Sequence, residues 1–251
     1  KGPLIAALYA MKAVKEAGYL PRKTVRMILG LDEETNWDGM ERYLAEVGAP
    51  DFGFTPDGQF PLINGEKGTL TFDIAAKFAK VPEAEKGLRL RSMQGGTAAN
   101  SVPDFAKALV YSDCGYDDIR GRVDAFCKET GYRLSCKGRG KSLEIAAEGV
   151  SAHGATPGKG LNAISVLMEF LGRLGFAGES AEDFIDFYNR NIGFELNGAG
   201  MGCGFCDDIS GELVWNTGVI SLNEEAAQLT INIRYPISCS DEKVYDAMMP
   251  L

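Results

Sequence analysis

The chain has 251 residues, with 45% hydrophobic and 24% charged residues, which is typical of a globular protein with one large or two ordinary domains. Its formal net charge of −9 argues against a nucleic-acid partner, and the basic cluster at residues 137–141 is too small to change that. No apolar run approaches the length of a membrane span and no signal peptide is recognisable, so we predict a cytoplasmic protein without a membrane partner.

The first 64 residues are predicted to alternate helices and strands. A helix at residues 4–17 presents one apolar face, a strand follows at 25–31, a second helix covers 39–47, and a short strand covers 51–54. This alternation predicts an α/β layer with a parallel sheet, in which sites lie beyond the carboxyl ends of the strands.

Carboxylates follow both of these predicted strands. Asp32, Glu33 and Glu34 come directly after the first strand, and Asp57 follows the second. Acids crowded at such a position repel one another unless a cation or shared protons relieve them, which favours a metal site. A solvated surface loop is the alternative, and the spacing alone favours neither.

From residue 65 onwards the pattern predicts a second, α+β domain, so we expect domains at residues 1–64 and 65–251. Ser240 is predicted to cap the last helix of this domain. Strands are predicted at residues 69–78, 141–148, 213–220 and 228–237, and helices at 103–111, 118–130, 161–174 and 181–191.

Two other motifs are weak indicators of function. The six cysteines are too sparse for a secreted disulfide scaffold and are interpreted as mostly reduced thiols. Cys203 and Cys206 form a C-x-x-C motif, but no second pair and no nearby histidine completes a zinc site. The glycine-rich run at 198–204 neither follows a clear strand nor opens a clear helix, so we interpret it as a mobile loop rather than a dinucleotide-binding loop.

The only histidine of the chain, His153, lies in a turn of small residues, GVSAHGATP at 149–157. A lone histidine is more often structural than catalytic. This turn, however, resembles the A-H-G-x-x-P turn of the M20 metallopeptidases, and of the PepV-like dipeptidases in particular. In that family the turn belongs to a lid domain and presents its histidine to the active site.

Five more segments resemble motifs of the same family and occur in the correct order. They are KGP at 1–3, LDEET at 31–35, FTPDGQFP at 54–61, GGTAANSVP at 95–103 and NIRYP at 232–236. The resemblance implies an aminopeptidase-like catalytic domain, present in part at residues 1–64, and a lid domain that anchors substrate at residues 65–251.

The resemblance also implies a metal centre and a base. Glu34 and Asp57 would ligate one metal ion each, and Glu33 would be the general base that takes a proton from a metal-bound water. Two divalent ions are implied, with zinc as the usual occupant and manganese or cobalt as alternatives.

The implied lid residues act on the substrate. His153 would stabilise the oxyanion of the tetrahedral intermediate, while Asn100 and Arg234 would hold the terminal carboxylate of a dipeptide or short peptide. No oligomeric state is predicted.

The remaining ligands of the family, an upstream H-x-D motif, the bridging aspartate and a last histidine, have no counterpart in these 251 residues. We therefore expect an internal piece of a longer metallodipeptidase that is inactive by itself. A non-catalytic peptide-binding module without a complete metal site, and a deacylase or desuccinylase, remain alternatives.

Overall fold

The computed structural model describes residues 2–33, 37–56, 58, 62–63, 65–79, 87–177 and 179–250. The chain forms two compact units, Lys1–Gly65 and Glu66–Leu251. Among the described helices, none is both long and apolar enough to cross a membrane.

The first unit contains two helices, α1 (Gly2–Glu16) and α2 (Asp38–Val47), as predicted, and neither has a buried residue. The strands predicted at residues 25–31 and 51–54 are not formed, so the predicted parallel sheet is not found in the described part of this unit. A strand needs a neighbour for its backbone N–H and C=O groups. Segment 25–31 has no such partner among the described residues, and several of its apolar side chains are exposed, Val25 and Leu29 at 58% each and Leu31 fully.

The second unit is built on a sheet of seven described strands, all paired antiparallel. These strands are β1 (Gly68–Lys77), β2 (Leu88–Gly95), β3 (Phe105–Ser112), β4 (Arg133–Arg139), β5 (Ser142–Glu148), β8 (Val214–Asn223) and β9 (Ala226–Tyr235). Their order across the sheet is β1-β9-β8-β2-β3-β5-β4. A two-stranded hairpin, β6 (Cys206–Asp207) and β7 (Gly211–Glu212), lies outside this sheet.

The helices of the second unit are α3 (Asp117–Thr130), α4 (Ala163–Leu171), α5 (Glu179–Asn191) and α6 (Asp241–Met248). Helix α4 is apolar almost all round and is buried along nearly its whole length, because it packs against β3, β5 and β8 and against α5. The sequence predictions of α3, α4 and α5 and of β1, β5, β8 and β9 are confirmed, with ends that differ by a few residues. Ser240 caps α6 as predicted, since its hydroxyl accepts the Lys243 N–H.

The helix predicted at residues 103–111 is wrong, because this segment forms strand β3. Ala106, Ala108 and Val110 are buried and alternate with more exposed residues, which is a period of two. Alanine and lysine in this stretch suit a helix locally. Pairing with β2 on one side and β5 on the other overrides that preference. Strands β2 and β4 were not predicted.

The glycine-rich run at 198–204 is a packed turn rather than an open loop. The N–H groups of Met201 and Cys203 both donate to the Gly198 carbonyl, at 3.2 and 3.0 Å. Both side chains are buried, and burial raises the pKa of the Cys203 thiol to about 11. The six cysteines form no disulfide with one another.

Candidate active site

The acidic segment of the first unit precedes helix α2. The Asp32 carboxylate accepts the Gly39 N–H at 2.7 Å, so it satisfies a free N–H group at the start of that helix. Glu33 is exposed. The proposed metal ligands Glu34 and Asp57 lie outside the described residues, and the described part of the chain contains no cluster of three or more His, Cys, Asp or Glu side chains that could hold a metal ion.

His153 lies in an exposed turn that follows strand β5. Its Nδ1 accepts the Ala155 N–H at 3.1 Å. Because that nitrogen is an acceptor, the proton of the neutral imidazole is on Nε2. The Nε2 edge forms no hydrogen bond with a described residue, so it presents a hydrogen-bond donor of the kind that stabilises an oxyanion.

The loop that contains Asn100 is joined to this histidine turn by backbone hydrogen bonds. Gly154 N–H donates to the Asn100 carbonyl at 2.7 Å, Val102 N–H donates to the Ala152 carbonyl at 2.8 Å, and Ser101 and His153 form an antiparallel bridge. The structure thus brings together two of the predicted site residues from distant parts of the sequence.

Glycine is required where the two loops meet. A Cβ on Gly154 would lie 2.9 Å from the carbonyl carbon and oxygen of Asn100. That distance is shorter than real Cβ contacts, so any other residue would push the loop and the turn apart. The small residue after His153 in the A-H-G pattern therefore has a packing reason in this fold.

Arg234 lies in strand β9, opposite Thr69 of β1 and Val214 of β8. It is half-buried, forms no ion pair with a described residue, and its Nε is buried without a described hydrogen-bond partner. A guanidinium in this state suits a planar anion such as a carboxylate.

Two buried asparagines on the same face of the sheet were not predicted from the sequence. Asn232 is two residues from Arg234 on β9, so their side chains point to the same face of the sheet. Asn216 on β8 lies directly opposite Asn232 and shares that face. Asn216 Nδ2 donates to the carbonyls of Ala99 and Ser101, at 2.7 and 3.1 Å. The sequence does contain a signal for these two residues. Asparagine is depleted in strands, so an asparagine inside each of two apolar strand segments indicates a specific role.

A groove with a volume of about 380 Å³ lies beside the Ser101–His153 bridge. It is lined by apolar residues, such as Val102 and Phe105, and by polar residues that include one acid, Asp104, and one base, Lys107. Ser101 and Ser151 belong to its lining, whereas Asn100 and His153 are not among the described residues that line it. The groove therefore adjoins the loop and the turn without containing these two predicted site residues.

The chain belongs to peptidase family M20/M25/M40, whose model matches residues 1–249. The predicted membership of the M20 family is thereby confirmed.

Two similar relatives are bacterial proteins named "putative dipeptidase". One, from Staphylococcus haemolyticus, is 34% identical over 237 residues, which are 94% of this chain and 50% of the relative. Another, from Staphylococcus epidermidis, is 35% identical over 247 residues, which are 98% of this chain and 52% of the relative. The chain thus spans about half the length of the curated relatives it matches.

Among solved structures, the aminoacylhistidine dipeptidase from Vibrio alginolyticus matches with a TM-score of 0.31 and 14% identity, over 74% of this chain and 41% of that chain. A likeness this weak adds nothing on function.

Proposed function

We propose that the intact protein is a metal-dependent dipeptidase that hydrolyses dipeptides or short peptides with a free C-terminal carboxylate. The observation that supports this most directly is that backbone hydrogen bonds join the Asn100 loop to the His153 turn, in which the Ala155 N–H occupies Nδ1 and leaves Nε2–H of the histidine without a described partner. Family membership and the names of the relatives support the same reaction class.

In this proposal the lid residues bind and orient the substrate. Arg234 and the Asn100 amide hold its terminal carboxylate, and this contact fixes the position of the scissile carbonyl relative to His153. His153 Nε2–H donates to the carbonyl oxygen as negative charge develops there. Glu33 takes the proton of the attacking water and later delivers it to the leaving amine.

The metal ions of the proposal belong to the first unit. Glu34 and Asp57 would hold them, and carboxylate oxygens suit zinc, manganese or cobalt. Two divalent ions, when bound, acidify a water molecule and polarise a carbonyl. Two carboxylates alone bind such ions weakly, so we expect the 251-residue chain by itself to be inactive with added zinc or manganese.

The test is hydrolysis of dipeptides by the intact protein, with Glu33→Gln as the decisive variant. Loss of the base should lower kcat by roughly 10²- to 10⁴-fold, while the metal content measured by mass spectrometry stays near that of the wild type. Glu41→Gln, a change on the exposed surface of α2, is the matched control and should leave kcat unchanged.

Two results would contradict the assignment. Loss of metal together with activity would make Glu33 a ligand rather than a base. Turnover of N-acetyl or N-succinyl amino acids without turnover of dipeptides would replace the dipeptidase with the deacylase or desuccinylase alternative.

A further inference from the structure

Asn216 is among the most completely buried polar residues of the second unit, with only 1% of its surface exposed. Both of its amide hydrogens are used, because Nδ2 donates to the carbonyls of Ala99 and Ser101, the two residues that flank Asn100. Its Oδ1 is buried without a described partner. The side chain therefore serves this loop as a donor only.

The loop held by Asn216 is the one that is joined to the histidine turn. Asn100 lies between the two residues whose carbonyls accept from Asn216, and its own backbone carbonyl accepts the Gly154 N–H. Ser101 forms an antiparallel bridge with His153. A displacement of residues 99–101 would therefore move Asn100 and the histidine turn together.

The same part of β8 also supports the segment that follows the histidine turn. Asn162 Nδ2 donates to the Thr217 carbonyl at 2.8 Å, while its Oδ1 caps the first turn of α4. Next to it, Gly218 lies so close to the loop that a Cβ there would be 2.4 to 2.7 Å from the backbone of Ala99. Residues 216–218 thus contact the backbone on both sides of the turn.

We propose that Asn216 is a positioning residue: it holds the Asn100 loop, and through it the His153 turn, in the arrangement that the reaction needs. This inference rests on the dipeptidase function proposed above. An apolar side chain of similar size would leave two partly buried carbonyls without this donor, so the loop would move to find other donors. A misplacement of about 1 Å at such a site can cost roughly 100-fold in rate.

The kinetic test compares Asn216→Ala with Asn189→Ala in the intact protein. Asn189 is the matched control, because its Nδ2 also donates to a backbone carbonyl, that of Met168, but within the α4–α5 pair. Both variants should lower the melting temperature. Only Asn216→Ala should lower kcat, by roughly 10- to 100-fold, and Asn216→Gln, which keeps the amide, should recover part of that loss.

A second measurement does not depend on activity. His153 is the only histidine of the chain, so its two ring nitrogens can be observed by ¹⁵N NMR in the 251-residue protein without assignment. At about pH 9, where an imidazole is neutral, the wild type should show one protonated and one unprotonated nitrogen, because Ala155 N–H holds Nδ1 as an acceptor. In Asn216→Ala the two signals should move towards each other as the tautomers mix, and in Asn189→Ala they should not.

The outcomes separate the two proposals. If the wild type hydrolyses no dipeptide but the tautomer signals respond to Asn216→Ala alone, the proposed function fails and the positioning of the turn stands. Unchanged signals and unchanged kcat in a folded Asn216→Ala variant would overturn the positioning role, as would equal kinetic losses in both variants. Should Asn216→Ala not fold, Asn216→Ser, which keeps one hydroxyl donor, replaces it in both measurements.

Discussion

At Arg234, strand β9 places a permanently charged group in a half-buried position where no described carboxylate pairs with it. A partly desolvated guanidinium that forms no ion pair with a described residue interacts more strongly with an incoming anion than a fully solvated one does. Partly burying a charge without a partner costs free energy. Other arginines of the unit, such as Arg91 and Arg173, instead pair with glutamates.

Replacing Arg234 with alanine should raise KM and lower kcat for free dipeptides, with a combined loss in kcat/KM of roughly 100-fold, or about 3 kcal/mol. The same variant should match the wild type on C-terminally amidated dipeptides, which lack the carboxylate. Steady-state kinetics on the two substrate series measures both effects, with Arg91→Ala as the control. Equal losses on amidated and free substrates would show that Arg234 does not bind the carboxylate.

Asp32 shows how a residue of a suspected metal motif can have a different role. The sequence resemblance assigns roles to Glu33 and Glu34 and none to Asp32, whereas the structure shows the Asp32 carboxylate bound to the Gly39 N–H at the start of α2. An acid at this position is also favoured by the helix dipole. The two proposed roles in this segment, general base and metal ligand, therefore belong to Glu33 and Glu34 only.

Among the secondary-structure elements, the contact between the histidine turn and the Asn100 loop is sensitive to side-chain size at Gly154. Gly154→Ala should lower the free energy of unfolding by about 1–3 kcal/mol, because its Cβ would overlap the Asn100 backbone. Gly121→Ala is the opposite case, since a Cβ there meets nothing within 4 Å and the residue lies inside α3. It should stabilise the protein by about 0.5–1 kcal/mol.

Urea denaturation of both glycine variants measures these changes. A neutral or stabilising Gly154→Ala would contradict the close approach of the loop and the turn. Destabilisation by Gly121→Ala would indicate that α3 is not helical at that position.

The β6–β7 hairpin depends on a single carboxylate. Asp207 accepts hydrogen bonds from the N–H groups of Ile209, Ser210 and Ser238 and from the Ser210 hydroxyl. The Ser210 N–H is the main reason that the pKa of Asp207 lies well below its ordinary value. A carboxylate whose pKa is depressed by folding stabilises the folded state above its unfolded pKa, and this contribution is lost as the pH falls towards the folded pKa.

The stability difference between the wild type and Asp207→Asn should therefore be full above about pH 5 and should shrink progressively below about pH 4. Urea midpoints measured across this range give the difference directly. Asp208→Asn changes the exposed neighbouring residue. The stability difference between the wild type and this variant should not shrink in the same way as the pH falls. A difference between wild type and Asp207→Asn that stays constant down to about pH 2 would contradict the role of the ionised carboxylate.

At the scale of the whole molecule, burial is unequal between the two units. Helices α1 and α2 have no buried residue, whereas β8 and β9 are interior strands of the sheet and contribute much of the core. Elements with few buried apolar contacts open locally at low free-energy cost.

Hydrogen exchange of the 251-residue chain should therefore be slowest in β8 and β9 and faster by orders of magnitude in α1 and α2. Helix α3 is the internal control, because Ile119, Val123 and Phe126 bury one of its faces and should protect its amides. Protection of α2 equal to that of α3, measured by mass spectrometry, would contradict this expectation.

The sequence by itself determined the family and the elements whose pattern is local. Motifs such as A-H-G-x-x-P keep their residue types and order along the chain, and amphipathic segments such as α3 and the alternating strand β9 show their period directly. It also singled out Asn100 and His153, whose segments the structure brings together, and Arg234, which lies half-buried on β9.

Only the tertiary structure decided the features that depend on partners distant in sequence. Segment 103–111 became strand β3 because β2 and β5 pair with it on both sides, and segment 25–31 remained without a strand where such a partner is lacking among the described residues. The contact of Asn216 with the loop around Asn100, and of that loop with the His153 turn, likewise joins residues far apart in the chain. Such contacts follow from which surfaces can be buried and which backbone groups need partners, and a local pattern does not contain that information.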